Sequence, residues 1–290
     1  MISAVYVTYN PDLDVLNSSI TSIMHQVEKV IVVDNSPVPF ETIKIKDSEK
    51  CIFIPLQDNI GIAAAQNIGI TKSLEDGAEY LMLSDQDTIY PDGYIKAMLE
   101  VIQADEKIGA VVPKFMDSVS QTINPFIGVS KYCFKKITPE QGTYEVMQGI
   151  ASGKIISAKA IRDVGMMDAE LFIDWVDLEW CWRLRKKGYK VIGNADVCIQ
   201  HSLGDKSESL VGRQINVRSP MRHYYITRNA FYLALNSDSI GLWLRMNLFF
   251  KSFRYIVAFP IVSKPHVKHL KAVTLGFIDG ITGKVGRKSI

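Results

Sequence analysis

Short apolar runs alternate with segments of helical periodicity along the first 113 residues of the chain. The apolar runs are too short for helices and predict buried strands, at Ile2–Thr8, Val30–Val33, Cys51–Ile54, Tyr80–Leu83 and Ile108–Val112. Helical spacing fills three of the intervals, from Leu13 to Ile23, from Ile60 to Leu74 and onward from Pro91. Strands that alternate with helices predict βαβ units, a parallel sheet and right-handed crossovers.

Polar residues follow three of these predicted strands at the point where each strand ends. They are Thr8 to Asn10, Asp34 to Ser36, and Asp85 to Asp87. Parallel strands bring their carboxyl ends to one edge of the sheet, and open α/β sheets bind their ligands at that edge. We therefore expect these three polar groups to lie together.

Asp85 and Asp87 are the most informative of these polar residues. Two carboxylates so close together repel each other unless a cation or hydrogen-bond donors compensate their charge. Mg²⁺ and Mn²⁺ prefer such oxygen ligands and are often bound by carboxylates and substrate phosphates together. The alternative is a polar loop that caps the next helix, since aspartate is common there as well. No glycine-rich phosphate loop follows the first strand, so a nucleotide would have to bind through side chains such as Asp34.

Composition sets the broad class. The 290 residues, 47% of them hydrophobic, can bury a full core, and we expect one catalytic domain plus an appendage. A formal net charge of +2 argues against nucleic acid as a partner. The chain starts directly in a predicted strand, and its four cysteines show no C-x-x-C spacing, so a cytoplasmic protein with reduced thiols is expected. Two stretches, Met116–Gly142 and Ser202–Ser219, are predicted to be loops.

The C-terminal region differs from the rest in charge and in aromatic content. From residue 241 onward it contains nine Lys or Arg residues and a single acidic residue, Asp279. Leu242–Val262 is rich in aromatic residues but is interrupted by Arg245, Lys251 and Arg254, which argues against a transmembrane span. Such a segment suits a helix that lies in the membrane interface. Packing on the catalytic domain or on a second subunit is the alternative.

Several motifs follow one another along the chain, as VYVTYN, VVDNS, NIGIAAAQNIG, LSDQDT, FIDWVDLEWCWR, KGY and YYITRN. In this order they resemble the motifs of the family 2 glycosyltransferases, which have the GT-A fold, and in particular the rhamnosyltransferases of bacterial O-antigen and other surface polysaccharides. The resemblance covers nearly the whole chain. It implies an α/β fold with a mostly parallel central sheet, a catalytic domain at 1–218 (donor half 1–113, acceptor half 114–218) and a helical, basic and aromatic region at 219–290.

The resemblance also implies a donor pocket at the strand edge. Asp34 would contact the pyrimidine base, Asp87 would bind Mg²⁺ or Mn²⁺, and Asp85 would face either the ribose or the metal. His201 is similar to the late histidine that completes the metal shell in many relatives, with a structural hydrogen bond as the alternative. Thr8 and Asn10 would line the nucleoside pocket. Asn59, Gly61 and Asn67 would shape the wall beside the diphosphate and ribose, and Arg228 and Arg222 would contact phosphate.

The general base of an inverting transfer is expected in the acidic cluster at 174–179. Relatives usually show Glu-Asp-x-Asp ahead of an arginine, and Val176 occupies the usual glutamate position here. That departure leaves Asp174, Asp177 and Glu179 as candidates, with Asp177 favoured. Acidic residues in a first helical turn also complement the helix dipole without any catalytic role. Trp175 and Trp180 are candidate platforms for the acceptor sugar.

The resemblance implies transfer of L-rhamnose from dTDP-L-rhamnose to a lipid-linked saccharide. The enzyme would be peripheral on the cytoplasmic face of the inner membrane, and the C-terminal helices could also form a homo-oligomer. A UDP-hexose transferase and a non-catalytic scaffold of the same fold are the alternatives. An aspartyl phosphatase fits less well, because its D-x-D motif ends the first strand rather than the fourth.

Overall fold

The expected strands belong to one large sheet in the computed structural model, which describes residues 1–40, 48–117, 121–201, 207–210, 213–216 and 218–288. The strands are β1 Ile2–Thr8, β2 Lys29–Asp34, β3 Cys51–Pro55, β4 Tyr80–Asp85, β5 Ile108–Asp117, β6 Ile123–Asn124, β7 Phe126–Gly128, β8 Lys135–Ile137, β9 Thr143–Gln148, β10 Ile155–Ser157, β11 Lys190–His201, β12 Ser207–Leu210 and β13 Arg213–Asn216. The α-helices are α1 Leu13–Met24, α2 Ile62–Glu75, α3 Tyr94–Gln103, α4 Ala158–Val164, α5 Val176–Lys186, α6 Pro220–Asn236, α7 Leu242–Val262 and α8 His266–Ile281.

The sheet is parallel among the strands of residues 1–85 and mixed beyond them. Its order is β3-β2-β1-β4-β10-β5-β11-β9-β7-β8, with β6 paired to β5. Strands β3, β2, β1 and β4 run parallel, whereas β10 is inserted antiparallel between β4 and β5. The later part of the chain adds a parallel pair, β5 with β11, and the antiparallel strands β9, β7 and β8. This α/β arrangement is the expected fold class.

Packing against helices on both faces explains why the central strands are almost wholly apolar. Every residue of β1 is buried, as expected for a parallel strand covered on two sides. Helix α2 approaches β1 closely because Gly69 has no side chain. A Cβ at that position would lie 2.3 Å from Val5 Cγ1. The small alanine side chains of α2 also allow the helix to lie close to the sheet.

Two expectations about local structure were wrong. Helix α3 begins at Tyr94 behind a left-handed Gly93, not in a first turn at Pro91. The stretch Met116–Gly142 is not one loop, because β6, β7 and β8 lie within it. Strands of two or three residues are too short to show a period of two in the sequence. The stretch Ser202–Ser219 lies partly outside the described residues, and within it β12 and β13 form a separate two-stranded antiparallel sheet.

Helices α6, α7 and α8 pack together at the C-terminal end. Phe231 of α6 makes edge-to-face contacts with Phe253 of α7 and Phe277 of α8, while Leu244 and Leu248 join the core that α5 and β5 line. Helix α7 spans the aromatic-rich stretch picked out in the sequence. In the described part of the chain, no helix is both long and apolar enough to cross a membrane.

Candidate active site

The three polar strand ends lie together, as predicted. In the sheet register Thr8 is paired with Asp34 across β1 and β2, and Val7 is paired with Asp85 across β1 and β4. Asp34, Asp85 and the residues that follow them therefore share one edge of the parallel half of the sheet.

Asp34 is the centre of a buried polar cluster. Its Oδ1 accepts hydrogen bonds from Thr8 Oγ1 at 3.0 Å, Ser36 Oγ at 2.6 Å and Ser36 N at 3.2 Å. Its Oδ2 is buried and has no hydrogen-bond partner among the described residues. Asn10 adjoins this cluster, with its backbone N–H donating to Ser36 Oγ at 2.8 Å. A buried carboxylate oxygen without a donor is costly, so Asp34 is a candidate to accept an N–H or O–H from a ligand.

A linked pair of asparagines lies beside this cluster. Asn35 Nδ2 donates to Asn59 Oδ1 at 3.0 Å, and that oxygen also accepts from Gly61 N at 3.1 Å. Gly61 has φ 89° and ψ 154°, a region essentially restricted to glycine. It also lies against Phe172, whose carbonyl oxygen would be 2.7 Å from an added Cβ. Asn59 and Gly61 therefore connect the start of α2 to the loop that precedes α5.

We expect Gly61→Ala to destabilise the protein by about 2–3 kcal/mol or more, because it combines backbone strain with a clash against Phe172. Gly77→Ala is the matched control, since Gly77 has φ 83° but no atom within 4 Å of an added Cβ. Chemical denaturation of both variants separates the two effects. Equal losses for the two would show that contact with Phe172 contributes nothing.

Asp85 and Asp87 lie at the open end of β4 and are both partly exposed. Ser152 Oγ donates a hydrogen bond to Asp85 Oδ2. Ile89, two residues after Asp87, forms a backbone bridge with Gln200, and this bridge brings the end of β11 towards the aspartates. His201 is the last residue of β11, but its side chain lies outside the described part of the structure. Its expected role as a metal ligand remains a prediction.

The carboxylate oxygens at this edge are suitable ligands for a hard divalent cation. Two carboxylates at a strand end offer oxygen ligands and leave positions for phosphate oxygens and water. Among the described residues, no group of three His, Cys, Asp or Glu side chains is placed to hold a metal ion. The protein side chains described here would therefore provide only part of a coordination shell.

Asp177 lies in the first turn of α5. Its Oδ1 is buried and has no hydrogen-bond partner among the described residues. Burial raises the pKa of Asp177, the nearby Lys154 ammonium opposes that rise, and the Asp85 carboxylate adds to it. Lys154 is itself fully buried, with Nζ 3.3 Å from the Asp177 carbonyl oxygen and 3.5 Å from Cys181 Sγ. The Asp177 carboxylate thus lies within electrostatic range of the D-x-D motif.

The other two candidate bases are both engaged in ion pairs. Glu179 accepts from Arg183 Nε with both oxygens, at 2.7 and 3.0 Å, and burial raises its pKa while Arg183 lowers it. Asp174 accepts from Arg222 Nε at 3.0 Å and Nη2 at 2.6 Å. Asp177 is therefore the candidate whose carboxylate forms no described salt bridge.

The family model described as "Glycosyl transferase family 2" matches residues 3–165, which is more than half of the chain. The chain belongs to glycosyl transferase family 2. The transferase is 37% identical over 288 residues to the dTDP-rhamnosyl transferase RfbF of Shigella flexneri, covering 98% of this chain and 97% of that protein. It is 29% identical over 186 residues to the poly-β-1,6-N-acetyl-D-glucosamine synthase of Staphylococcus aureus, covering 60% of this chain and 42% of that protein.

Solved structures confirm the GT-A fold. Residues 1–349 of TarS from S. aureus superpose with a TM-score of 0.59 at 14% identity, covering 97% of this transferase and 80% of that chain. GalNAc-T7, solved with UDP, GalNAc and Mn²⁺, superposes with a TM-score of 0.57 at 14% identity. The match covers 88% of this chain and about half (54%) of that chain. The mannosyltransferase PcManGT from Pyrobaculum calidifontis, solved with GDP-Man and Mn²⁺, gives 0.53 at 12% identity, covering 95% and 73% of the two chains.

Two expected contacts of the transferase with its substrates do not agree with the structure. Arg228 is fully buried in α6, and its guanidinium donates to the carbonyl oxygens of Glu170, Leu171 and Gly286 rather than facing the strand edge. Trp180 is also fully buried, with Nε1 donating to the Gly165 carbonyl oxygen at 2.9 Å, so it offers no surface to an acceptor sugar. Both side chains are part of the protein interior.

Three more predicted residues have polar contacts within the protein. Asn67 forms a reciprocal pair with the Met167 backbone, both bonds at 2.9 Å, and so ties α2 to the loop after α4. Arg222 is paired with Asp174. Trp175 is partly buried, and its Nε1 donates to the Ile226 carbonyl oxygen at 3.0 Å. A platform role for Trp175 remains a prediction.

The loop before α5 is strained, which the sequence did not indicate. Phe172, Asp174 and Trp175 have φ values of 63°, 62° and 70°, in a region that costs about 1–3 kcal/mol per non-glycine residue. Asn229 Nδ2 donates to the carbonyl oxygens of Leu171, Ile173 and Asp174, at 2.9, 2.9 and 3.1 Å. The Arg-Asn pair at 228–229 therefore holds the loop that leads to Asp177. The YYITRN motif marks Arg228 and Asn229 in the sequence, but it does not show that they bind the loop before α5.

Proposed function

We propose that this transferase moves an L-rhamnosyl group from dTDP-L-rhamnose to a saccharide hydroxyl with inversion at the anomeric carbon. The choice of donor is supported by the 37% identity to the Shigella dTDP-rhamnosyl transferase across nearly the whole of both chains. The observation that carries the mechanism is the Asp177 Oδ1 beside the D-x-D strand, which is buried and has no hydrogen-bond partner in the described part of the chain.

Donor binding uses the strand edge. Asp34 Oδ2, for which the described residues provide no hydrogen-bond donor, accepts an N–H from the pyrimidine base, and Thr8 and Asn10 line the nucleoside pocket. Asp87 and Asp85 hold Mg²⁺ or Mn²⁺, as the oxygen donor set and the Mn²⁺ in two structural neighbours suggest. When bound, the cation supplies Lewis-acid stabilisation of the negative charge that develops on the leaving diphosphate.

Asp177 acts as the general base. It accepts the proton of the attacking acceptor hydroxyl as the bond from the sugar to the diphosphate breaks. Lys154 limits the rise in the pKa of Asp177 that burial causes, which favours the carboxylate form needed for this step. The acceptor half, 114–218, receives the saccharide. We propose a lipid-linked acceptor, which places the enzyme at the cytoplasmic face of the inner membrane.

The donor proposal is tested by thermal unfolding of the purified protein with dTDP-rhamnose, UDP-hexoses and GDP-mannose, each with and without Mn²⁺. A ligand that binds only the folded state raises stability by RT ln(1 + [L]/Kd), about 2.7 kcal/mol at 100 times Kd. We expect the largest metal-dependent increase with dTDP-rhamnose, and its loss in Asp87→Ala. The control is Asp92→Ala, an exposed aspartate that lies outside the strand edge.

The alternatives predict different results in the same experiment. A larger increase with a UDP-hexose would keep the mechanism and change the donor, as GalNAc-T7 with bound UDP illustrates. No increase with any nucleotide sugar, in the presence or absence of metal, would contradict the transferase proposal and favour a non-catalytic scaffold.

A further inference from the structure

The outward face of α7 is a continuous apolar stripe. Helical geometry places its exposed apolar side chains within an arc of roughly 100°. They include Leu242, Trp243, Phe250, Phe253, Val257 and Ile261, which are between 40% and 68% exposed. The opposite face, with Leu244, Leu248 and Phe259, is buried against the rest of the protein. The core therefore does not account for the apolar residues on the outward side.

Helix α8 extends this stripe. Val267, Leu270, Ile278 and Ile281 are between 43% and 72% exposed and recur at helical spacing. The two helices meet through the rings of Phe253 and Phe277, whose centroids are 5.8 Å apart. We call the exposed apolar side chains of α7 and α8 together the α7–α8 face. A contiguous patch of this extent is uncommon on a monomeric surface that has no partner.

The exposed charged side chains of α7 and α8 have one sign. Exposed cations are interspersed with it, at Lys251, Arg254, Lys264, Lys268 and Lys271. Asp279 is the single acidic residue of the described range 241–288. It is 1% exposed and is paired with Tyr224 Oη at 2.8 Å and Lys288 Nζ at 3.1 Å. The described residues of α7 and α8 therefore combine exposed apolar side chains with positive charge and include no exposed carboxylate.

We propose that the α7–α8 face binds the surface of a membrane that contains anionic lipids. Acyl chains would cover the apolar stripe while lipid phosphates pair with the surrounding cations. A second copy of the chain fits less well, because a two-fold contact of this face with itself brings the same cations together without a counter-charge.

The face also adjoins the acceptor half of the enzyme. The Trp243 ring lies 6.3 Å from that of Tyr132, and Lys251 Nζ lies 5.7 Å from the Phe134 ring. Tyr132, between β7 and β8, is 61% exposed, and tryptophan and tyrosine favour the membrane–water interface. Membrane binding by this face does not depend on the donor or the reaction proposed above, although it would bring a lipid-linked acceptor to the correct side of the enzyme.

The test is co-sedimentation of the full chain with phosphatidylcholine vesicles, with and without phosphatidylglycerol. The apolar variant is the pair Phe250→Ser and Val257→Ser, and its control is Leu13→Ser with Val15→Ser, which are 41% and 42% exposed on α1. The charge variant is Lys268→Glu with Lys271→Glu, and its control is Lys96→Glu with Lys107→Glu, exposed elsewhere. Circular dichroism verifies that each variant is folded.

We expect binding to vesicles with phosphatidylglycerol that weakens as salt is added. The apolar and charge variants should each lower the partition coefficient about 10-fold or more, whereas both controls bind like the parent chain. Absence of binding by the parent chain would overturn the proposal, as would unchanged binding in both variants. A dimer in sedimentation velocity that the Phe250 and Val257 changes abolish, without vesicle binding, would assign the face to a second copy instead.

Discussion

Replacing Asp177 by asparagine is expected to lower the rate of sugar transfer by roughly 10²–10⁴-fold, the usual contribution of general base catalysis. The amide has nearly the same shape as the carboxylate but cannot accept the hydroxyl proton. Asparagine keeps an oxygen that can accept the hydrogen bonds of the Ala151 backbone and Gln66, and burial already opposes the charged form of Asp177. We therefore expect thermal stability and donor affinity to stay close to those of the parent chain. Turnover at saturating donor, together with the donor Kd, separates catalysis from binding.

Asp174→Asn and Glu179→Gln are the matched controls for this prediction. Each removes one carboxylate charge from an ion pair, with Arg222 and with Arg183 respectively. We expect them to lower stability more than Asp177→Asn does and to lower transfer less. Parent-like turnover in the Asp177 variant, with a large loss in either control, would move the base to that residue.

The pH dependence provides a second readout on Asp177. A general base works in its deprotonated form, and burial raises the pKa of Asp177 above the ordinary aspartate value. The rate should therefore fall as the pH drops through a value higher than that of an exposed aspartate. This acidic decline should be absent from the residual activity of Asp177→Asn. If the same acidic decline persists in Asp177→Asn, it arises from the titration of a group other than Asp177.

The sequence predicted the donor half better than the acceptor half, for a physical reason. Strand β1 was predicted with its observed bounds because a strand buried on both faces leaves an uninterrupted apolar run. Asp34, Asp85 and Asp87 could be placed together because parallel strands share a direction and an edge. The short strands β7 and β8 carry no such signal, since their pairing depends on neighbours distant in sequence.

The misassigned residues share one cause. A sequence shows that Arg228 and Trp180 can donate hydrogen bonds, but not whether the acceptor is a ligand or the backbone. Arg228 lies 57 and 58 residues from Leu171 and Glu170, whose carbonyl oxygens accept its hydrogen bonds. The strain at Asp174 and Trp175 is equally invisible, because those residue types do not require a positive φ. Only the folded chain shows why α6 contains an arginine there.

Arg228→Lys and Arg228→Ala are both expected to destabilise the protein strongly, by about 3–5 kcal/mol for alanine and about 2 kcal/mol or more for lysine. Carbonyl oxygens that lose a donor cost roughly 1–3 kcal/mol each when they are buried. The Arg228 guanidinium donates to three carbonyl oxygens, through one buried and two partly buried hydrogen bonds. Its charge also lies over the rings of Tyr224 and Tyr225, at 5.7 and 4.8 Å. Lysine keeps the charge but not the planar fork.

Chemical denaturation measures this loss, with Arg162→Ala, an exposed arginine of α4, as a control expected within about 0.5 kcal/mol of the parent. Both Arg228 variants should lose stability, and turnover should fall because the segment that carries Asp177 is no longer fixed. Unchanged stability in both variants would contradict the role of Arg228 in holding the strained loop before α5.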